Sequence, residues 1–171
     1  AAAERAGDID GFRHSTLDHA GLQFAGLRLT NTESLANAGQ KPDIVVRTGL
    51  IRRREHGEVR ALYSRDGGVS WSAFASEPPE GDGGGQITLA ADGSRAIWRP
   101  KNAGPWLTDN FGGRWQRVRG LPAGAVVEAD RVDPGVFYAF DGSTGQLYVS
   151  GNGGVEFKPA QGALDGYGDW F

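Results

Sequence analysis

Three eight-residue segments of this chain share one pattern: Ser or Thr, any residue, Asp or Asn, any residue, Gly, two more residues and an aromatic. They are 64–71, 108–115 and 150–157, so the pattern returns about every 43 residues. An Asp or Asn opening a tight turn can accept hydrogen bonds from the N–H groups that follow, and the Gly can adopt a positive φ. This period is typical of a four-stranded propeller blade. We expect a structural role for Ser64, Asp66, Gly68, Trp71, Thr108, Asn110, Gly112, Trp115, Ser150, Asn152, Gly154 and Phe157.

Strand candidates precede each repeated turn, so the repeat predicts an all-β fold of four-stranded antiparallel β-propeller blades. The six candidates are 43–47, 60–63, 95–98, 104–107, 135–140 and 145–149. The only helix candidate is 32–38. The predicted blade division is a partial unit 1–40, full units 41–80, 81–122 and 123–160, and the start of another at 161–171. Since propellers close with about 4–8 blades, we expect the chain to be part of a longer protein.

Composition removes several classes of function. The 18 Lys and Arg against 21 Asp and Glu give a net charge of −3, which offers no electrostatic reason to bind nucleic acid or an anionic membrane. The chain has no cysteine, which excludes disulfides and cysteine-based zinc sites, and its three histidines lack a metal-binding spacing. We therefore expect no metal and no cofactor. Gly81 to Gly85 is predicted to be a flexible loop. A phosphate cradle is disfavoured there, because no helix follows the glycines.

The repeated turn resembles the Asp-box of sialidases, sortilin-type receptors, photosystem-assembly propellers and the xyloglucanases of glycoside hydrolase family 74. More specific is 7–14, Gly-Asp-Ile-Asp-Gly-Phe-Arg-His, which is similar to the family-74 segment that opens the second of two seven-bladed propellers. Other segments resembling that family are 31–35, 42–47, 77–79, 83–85, 120–125 and 130–141. The chain is thus identified as part of the C-terminal propeller of such an enzyme.

The resemblance implies an inverting endo-β-1,4-glucanase that is specific for xyloglucan of plant cell walls. Such hydrolysis uses two carboxyl groups about 6.5–9.5 Å apart, and the resemblance implies one from each propeller. Asp8 matches the second-propeller aspartate; we assign it as general acid, with general base as the alternative, and its partner is not in this chain. The implied partners are the polysaccharide, the remaining blades and the N-terminal propeller, and the implied location is extracellular or periplasmic.

Two positions depart from the family pattern. Asp10 stands where relatives usually have Gly, and Ser15-Thr16 stand where relatives often have acidic residues. The extra carboxylate at position 10 would raise the pKa of Asp8 by like-charge repulsion, or it would disturb the site. From sequence alone, Asp10 and Asp18 are also consistent with solvated or structural roles.

Substrate contacts are predicted at Trp106, Trp170 and His14. Glucan clefts stack sugar rings on exposed aromatic faces, and Trp98, Trp106 and Trp170 lie outside the repeated turns. Trp106 is equally consistent with a core residue, and His14 with a packed or exposed one. The alternative function is a non-catalytic Asp-box propeller that binds protein or glycan. A sialidase is disfavoured, because the sequence shows no motif for an arginine cluster with a tyrosine nucleophile.

Overall fold

The computed structural model describes residues 2–6, 10–16, 18–19, 21–53, 55 and 57–163, with the backbone alone for 2–6 and 162–163. These residues contain fifteen β-strands and no helix. The prediction of a helix over 32–38 is wrong, because the segment forms a strand whose partners run from Asn31 opposite Leu50 to Asn37 opposite Val45. Pairing with a neighbouring strand outweighs the local helical preference. No helix in the described part of the chain is long and apolar enough to span a membrane.

The first sheet has seven strands in the order β1-β2-β4-β5-β6-β7, with β3 paired to β2. Its strands are β1 (Ala2–Ala6), β2 (Asp10–His14), β3 (Leu22–Gln23), β4 (Asn31–Asn37), β5 (Val45–Leu50), β6 (Ala61–Ser64) and β7 (Ser72–Ala73). All pairs are antiparallel except β2 with β4, which meet in parallel where Asp10 lies opposite Asn31. The β2 strand thus joins the sheet at the start of β4.

The second and third sheets each have four antiparallel strands in sequential order. The second consists of β8 (Gln86–Leu89), β9 (Arg95–Arg99), β10 (Trp106–Asp109) and β11 (Arg114–Arg117). The third consists of β12 (Val126–Ala129), β13 (Phe137–Asp141), β14 (Gln146–Ser150) and β15 (Lys158–Ala163). Together with the run β4 to β7, these sheets confirm the predicted all-β fold of four-stranded antiparallel units.

The sheets pack face to face as propeller blades do. Strand β4 contacts β8, and β8 contacts β12, so the first strands of the three four-stranded runs lie side by side. Apolar side chains fill both interfaces, with Val46, Phe74 and Trp98 between the first and second sheets and Ile97, Val127 and Phe137 between the second and third. A third cluster, which includes Phe24, Leu62 and Trp71, lies within the first sheet.

Each repeated turn joins the third and fourth strands of a four-stranded run. We call them turn 1 (64–71), turn 2 (108–115) and turn 3 (150–157). All three lie at the same end of their sheets, which we call the turn end. The other end, where β4, β8 and β12 begin, is called the opposite end. The pairing of Val45 with Ser64 and of Arg95 with Asp109 marks the turn end, whereas the pairing of Trp98 with Trp106 lies toward the opposite end.

Candidate functional site

The described part of segment 7–14 begins at the opposite end of the first sheet. Asp10 begins β2 there, next to Asn31 at the start of β4. Asp8 precedes it by two residues and lies outside the described residues, as does Trp170. Asp10 is buried, with 1% of its surface exposed, and its φ is 72°. Residues other than Gly are uncommon in this left-handed region.

The carboxylate of Asp10 is bound by two buried side chains. Its Oδ1 forms an ion pair with Arg47 Nη1 and accepts a hydrogen bond of 2.7 Å from Thr32 Oγ1. Its Oδ2 is also buried and has no hydrogen-bond partner among the described residues. The other arm of Arg47 donates to the carbonyl oxygen of Leu27 at 2.9 Å. Asp10 is therefore a buried structural residue, and a cation compensates its charge.

Two aromatic rings flank the guanidinium of Arg47. Its central carbon lies 4.4 Å from the ring centroid of Phe24 and 4.1 Å from that of Trp71. Burial lowers the pKa of Arg47, and the hydrogen bond and charge of Asp10 oppose that shift. An arginine keeps its charge at physiological pH, so Asp10 and Arg47 form a buried ion pair. The repulsion that we expected from Asp10 toward Asp8 is reduced accordingly.

A groove of about 700 Å³ lies at the opposite end of the second sheet. It is lined by residues of the connections at that end of the sheet and of the strand ends next to them: Glu80, Gly85, Arg99, Pro100, Lys101, Asn102, Ala103, Gly104, Arg117, Ala123 and Gly124. Trp106 begins β10 and is half-buried, with the guanidinium of Arg117 over its ring at 5.3 Å. Trp98 is fully buried and donates to the carbonyl oxygen of Gly84, so it offers no face to a sugar.

The glycine-rich segment 81–85 lines this groove at Gly85, and hydrogen bonds hold the segment in place, in contrast to the flexible loop that we expected. Gly85 N donates to Glu33 Oε2 at 2.9 Å, and Gly84 N donates to the carbonyl oxygen of Gly49 at 3.0 Å. Gly83 has a φ of 72°, and a Cβ there would lie 2.3 Å from Arg60 Nε. Glycine is required here, since a side chain would meet both strain and a neighbouring residue.

Ion pairs tie the connections around the groove to one another. Lys101 pairs with Glu33 and Arg117 with Glu80, while Arg60 makes a two-armed contact with Glu77. The hydrogen bonds that Arg60 donates to the Glu77 carboxylate raise the pKa of Arg60. Sequence analysis missed these pairs because their members lie 17 to 68 residues apart. No local spacing signals such contacts.

His14 ends β2 and lies toward the turn end. Its neighbour Arg13 donates from Nε to the carbonyl oxygen of Gly67 in turn 1 at 3.1 Å. His14 Nδ1 is 3.3 Å from the carbonyl oxygen of His19. His14 lies four positions after Asp10 on the same strand, which corresponds to about 13 Å. The structure therefore does not bring His14 together with Asp10. Among the described residues, no cluster of three or more histidine and acidic side chains could hold a metal ion.

The solved structures and the curated proteins that match this chain include family 74 enzymes and xyloglucanases. The chain is 53% identical to the glycoside hydrolase family 74 xyloglucanase of Xanthomonas campestris, with a TM-score of 0.91, over 95% of this chain and 23% of that one. The family 74 enzyme of Niastella koreensis matches at 28% identity and a TM-score of 0.81, over 94% and 22%. A xyloglucanase of Paenibacillus is 36% identical over 95% of this chain. The chain spans 16 to 21% of the length of the curated relatives it matches. No family model matches the chain.

Proposed function

The chain belongs to glycoside hydrolase family 74, and from this we propose that the intact protein is an inverting endo-β-1,4-glucanase specific for xyloglucan. The observation that carries the proposal is the 53% identity and TM-score of 0.91 to a xyloglucanase over 95% of the chain. The turns mark only the fold, and a fold alone does not specify an activity. The 53% sequence identity covers 95% of the chain, so it includes the segments between the turns as well as the turns themselves.

In this proposal, Asp8 is the general acid and protonates the leaving glycosidic oxygen. A second carboxylate activates water on the opposite face of the sugar, and the two groups must stand about 6.5–9.5 Å apart to leave room for that water. The second carboxylate belongs to the other propeller of the intact protein. The isolated 171-residue chain is therefore expected to be inactive on xyloglucan.

We place the polysaccharide at the opposite end of the sheets. Three features support this position: β2 begins there with Asp10, the groove opens there, and Trp106 lies beside Arg117 at its edge. Trp106 and Trp170 would stack on sugar rings. His14 was the third predicted contact, but it lies toward the turn end, so we do not place it among the contacts at the opposite end. Chemistry of this kind needs no cofactor or metal. Secretion to the extracellular space or periplasm follows from a plant cell-wall substrate.

We also propose that further blades of the same protein cover the outer face of the third sheet. Val126, Tyr138, Leu147 and Val149 are 38 to 44% exposed there. They are cross-strand neighbours or lie two positions apart on one face of β12, β13 and β14. The corresponding face of the second sheet is covered by the third sheet. Continued blade stacking, with the divisions predicted from the sequence, would bury this face in the same way.

The decisive experiment replaces Asp8 in the full-length protein. For Asp8→Asn, we expect xyloglucan hydrolysis to fall by a factor of about 10³ or more, since a general acid at the leaving oxygen is removed, while binding of xyloglucan oligosaccharides is retained. The matched control is Asp18→Asn, a change at an exposed carboxylate, which should leave kcat unchanged.

NMR of the first product should show inversion at the anomeric carbon. Unchanged hydrolysis in Asp8→Asn would remove Asp8 from the catalytic site, and a wild-type protein that binds glycan without cleaving it would establish the non-catalytic alternative.

A further inference from the structure

We propose that the buried pair Asp10–Arg47 is a positioning device for the segment that carries Asp8. The inference rests on the proposed function, because it assigns the pair a role in placing that catalytic carboxylate. It concerns a chain position, Asp10, at which the family resemblance leads one to expect glycine. The positive φ of 72° that glycine would adopt freely is here occupied by an aspartate.

The pair is a poor device for stability alone. Asp10 and Arg47 are both fully buried, and Asp10 Oδ2 and Arg47 Nε have no hydrogen-bond partner among the described residues. A buried ion pair with unsatisfied atoms is often no more stable than a well-packed apolar replacement. A non-glycine residue held at positive φ adds strain, and such strain clusters at functional sites. These features indicate that the pair serves to position the adjoining chain rather than to stabilise the fold.

Arg47 is held firmly enough to act as an anchor. It lies on the central strand β5, whose residues from Val45 to Gly49 are buried. The rings of Phe24 and Trp71 lie against its guanidinium, and Leu27 O accepts from its second arm. Each of these contacts fixes the charge relative to the first sheet.

Asp10 links the anchored Arg47 to the N-terminal segment. Its carboxylate is tied to Arg47 and Thr32, and its main chain starts β2. Asp8 lies two positions before Asp10 in the sequence, and a chain of that length spans at most about 7 Å. A displacement of about 1 Å at a reacting group can cost a factor of about 100 in rate. Fixing residue 10 therefore restricts where the carboxylate of residue 8 can stand.

The test uses the full-length protein and the double variant Asp10→Gly/Arg47→Met. Glycine accepts the positive φ, and methionine packs between Phe24 and Trp71 without leaving an unpaired charge. We expect the melting temperature to stay within a few degrees of wild type, kcat on xyloglucan to fall about 10- to 100-fold, and KM to change less than about threefold. Amide hydrogen exchange in a peptide covering 7–14 should become faster. The single variant Arg47→Met leaves Asp10 buried without its partner and should lower both the melting temperature and kcat.

Arg13→Met is the matched control, because Arg13 lies on the same strand and also contacts turn 1, but near the turn end. It should change neither kcat nor exchange over 7–10. Wild-type kcat in the stable double variant, or unchanged exchange over 7–14, would overturn the inference, since a purely structural pair predicts that the double variant restores activity along with stability. An inactive wild-type protein would instead overturn the proposed function and the catalytic role with it. The exchange measurement would then still decide whether the pair holds the segment.

Discussion

Turns 1 and 3 are fixed by their own third residue, whereas turn 2 is fixed by an aromatic ring that enters the neighbouring sheet. Asp66 Oδ1 accepts from the N–H groups of Val69 and Ser70 at 3.1 and 2.9 Å, and Asn152 Oδ1 accepts from Glu156 N at 3.1 Å. Asn110 makes no such bond within the described part of the chain and adopts a φ of 49°. The same eight-residue pattern thus supports two ways of holding a turn.

The fourth residue of each eight-residue turn shows which contacts stabilise turn 2. Its φ is 68° at Gly67 and 73° at Gly153, and it remains positive, at 51°, for Phe111. The ring of Phe111 stacks on Tyr63 with centroids 4.1 Å apart and meets Phe74 edge-on at 5.7 Å. Contacts of this kind across the sheet interface offset the strain of a left-handed phenylalanine. Aromatic packing of Phe111 therefore stabilises turn 2, whereas a side-chain oxygen that accepts hydrogen bonds stabilises turns 1 and 3.

The turns also differ in what their final aromatic residue contacts. Trp71 of turn 1 covers the guanidinium of Arg47, while Trp115 of turn 2 packs beside Phe74 and Trp98. Turn 1 is therefore connected through Arg47 to Asp10 at the opposite end of the sheet. Within the described part of the chain, turn 1 is the only one of the three whose final aromatic residue contacts the buried pair of Asp10 and Arg47.

The largest effect is expected from removing the ring of turn 2. Phe111→Ala should cost about 3 kcal/mol of unfolding free energy, because the substitution leaves a cavity between the first and second sheets. Phe111→Gly should cost about 1 kcal/mol less than Phe111→Ala, since glycine relieves the strain at positive φ. Denaturant unfolding of the purified variants measures both values.

The control for this pair is Val69→Ala in turn 1. Val69 is 54% exposed, so its truncation should change stability by less than about 0.5 kcal/mol. If Phe111→Ala were as mild as Val69→Ala, the ring would not hold turn 2. If Phe111→Gly were the more damaging of the two, the strain assigned to position 111 would be refuted.

The next effect should be the same in all three turns. The hydroxyls of Ser64, Thr108 and Ser150 accept from the N–H of Gly68, Gly112 and Gly154 at 2.8, 2.9 and 3.1 Å. Replacing any of the three with Ala leaves a buried N–H unsatisfied, at a cost of about 1–3 kcal/mol. Thermal unfolding of the three single variants compares them directly. A Thr108→Ala variant that is neutral while the serine variants are not would show that turn 2 has lost the shared hydroxyl bond as well.

A smaller, pH-dependent effect should separate turn 1 from turn 3. Hydrogen bonds from Ser70, and then from Ser64, lower the pKa of Asp66 from its ordinary 3.8 to about 2. A carboxylate with a lowered pKa stabilises the folded state fully above its unfolded value, and this contribution is lost as the pH falls through the folded value. The contribution of Asp66 should therefore disappear between about pH 4 and pH 2.

The variant Asp66→Asn gives turn 1 the third residue of turn 3. At pH 7 it should cost less than about 1 kcal/mol, because the amide oxygen still accepts hydrogen bonds and Asp66 is exposed. The stability difference between wild type and variant should shrink on acidification from pH 4 to pH 2, as followed by denaturant unfolding. A difference that stays constant over this range would refute the pKa shift as a source of stability.

The sequence predicted the fold through the features that repeat in it. All six strand candidates overlap observed strands, namely β5, β6, β9, β10, β13 and β14. The first strands of the four-stranded runs, β4, β8 and β12, were not assigned as strands, and the segment of β4 was predicted to be a helix. Strand β8 lies between β4 and β12 and contacts both, so the sequence pattern of these strands follows tertiary contacts and not a local period.

The candidate site was less predictable. Family resemblance singled out Asp8 and the unusual Asp10, but no local pattern joins Asp10 to Arg47, which lies 37 residues away. The glycines of 81–85 suggested a flexible backbone. In the structure, a Cβ at Gly83 would collide with the side chain of Arg60, and a Cβ at Gly85 would collide with the carbonyl oxygen of Arg99. Charge pairing and close approach are properties of the folded chain, and composition does not reveal them.

The smallest effect is also the sharpest, because one substitution should act with opposite sign in two turns. Asn110→Gly should stabilise the protein by up to about 0.5 kcal/mol, since it relieves a left-handed backbone and breaks no side-chain hydrogen bond in the described part of the chain. Asn152→Gly should cost about 1 kcal/mol, because Ser150 Oγ and Glu156 N lose their acceptor. Paired denaturant unfolding curves resolve differences of this size. Equal destabilisation by both changes would mean that Asn110 anchors turn 2 as Asn152 anchors turn 3. The proposed difference between turn 2 and the other two turns would then be refuted.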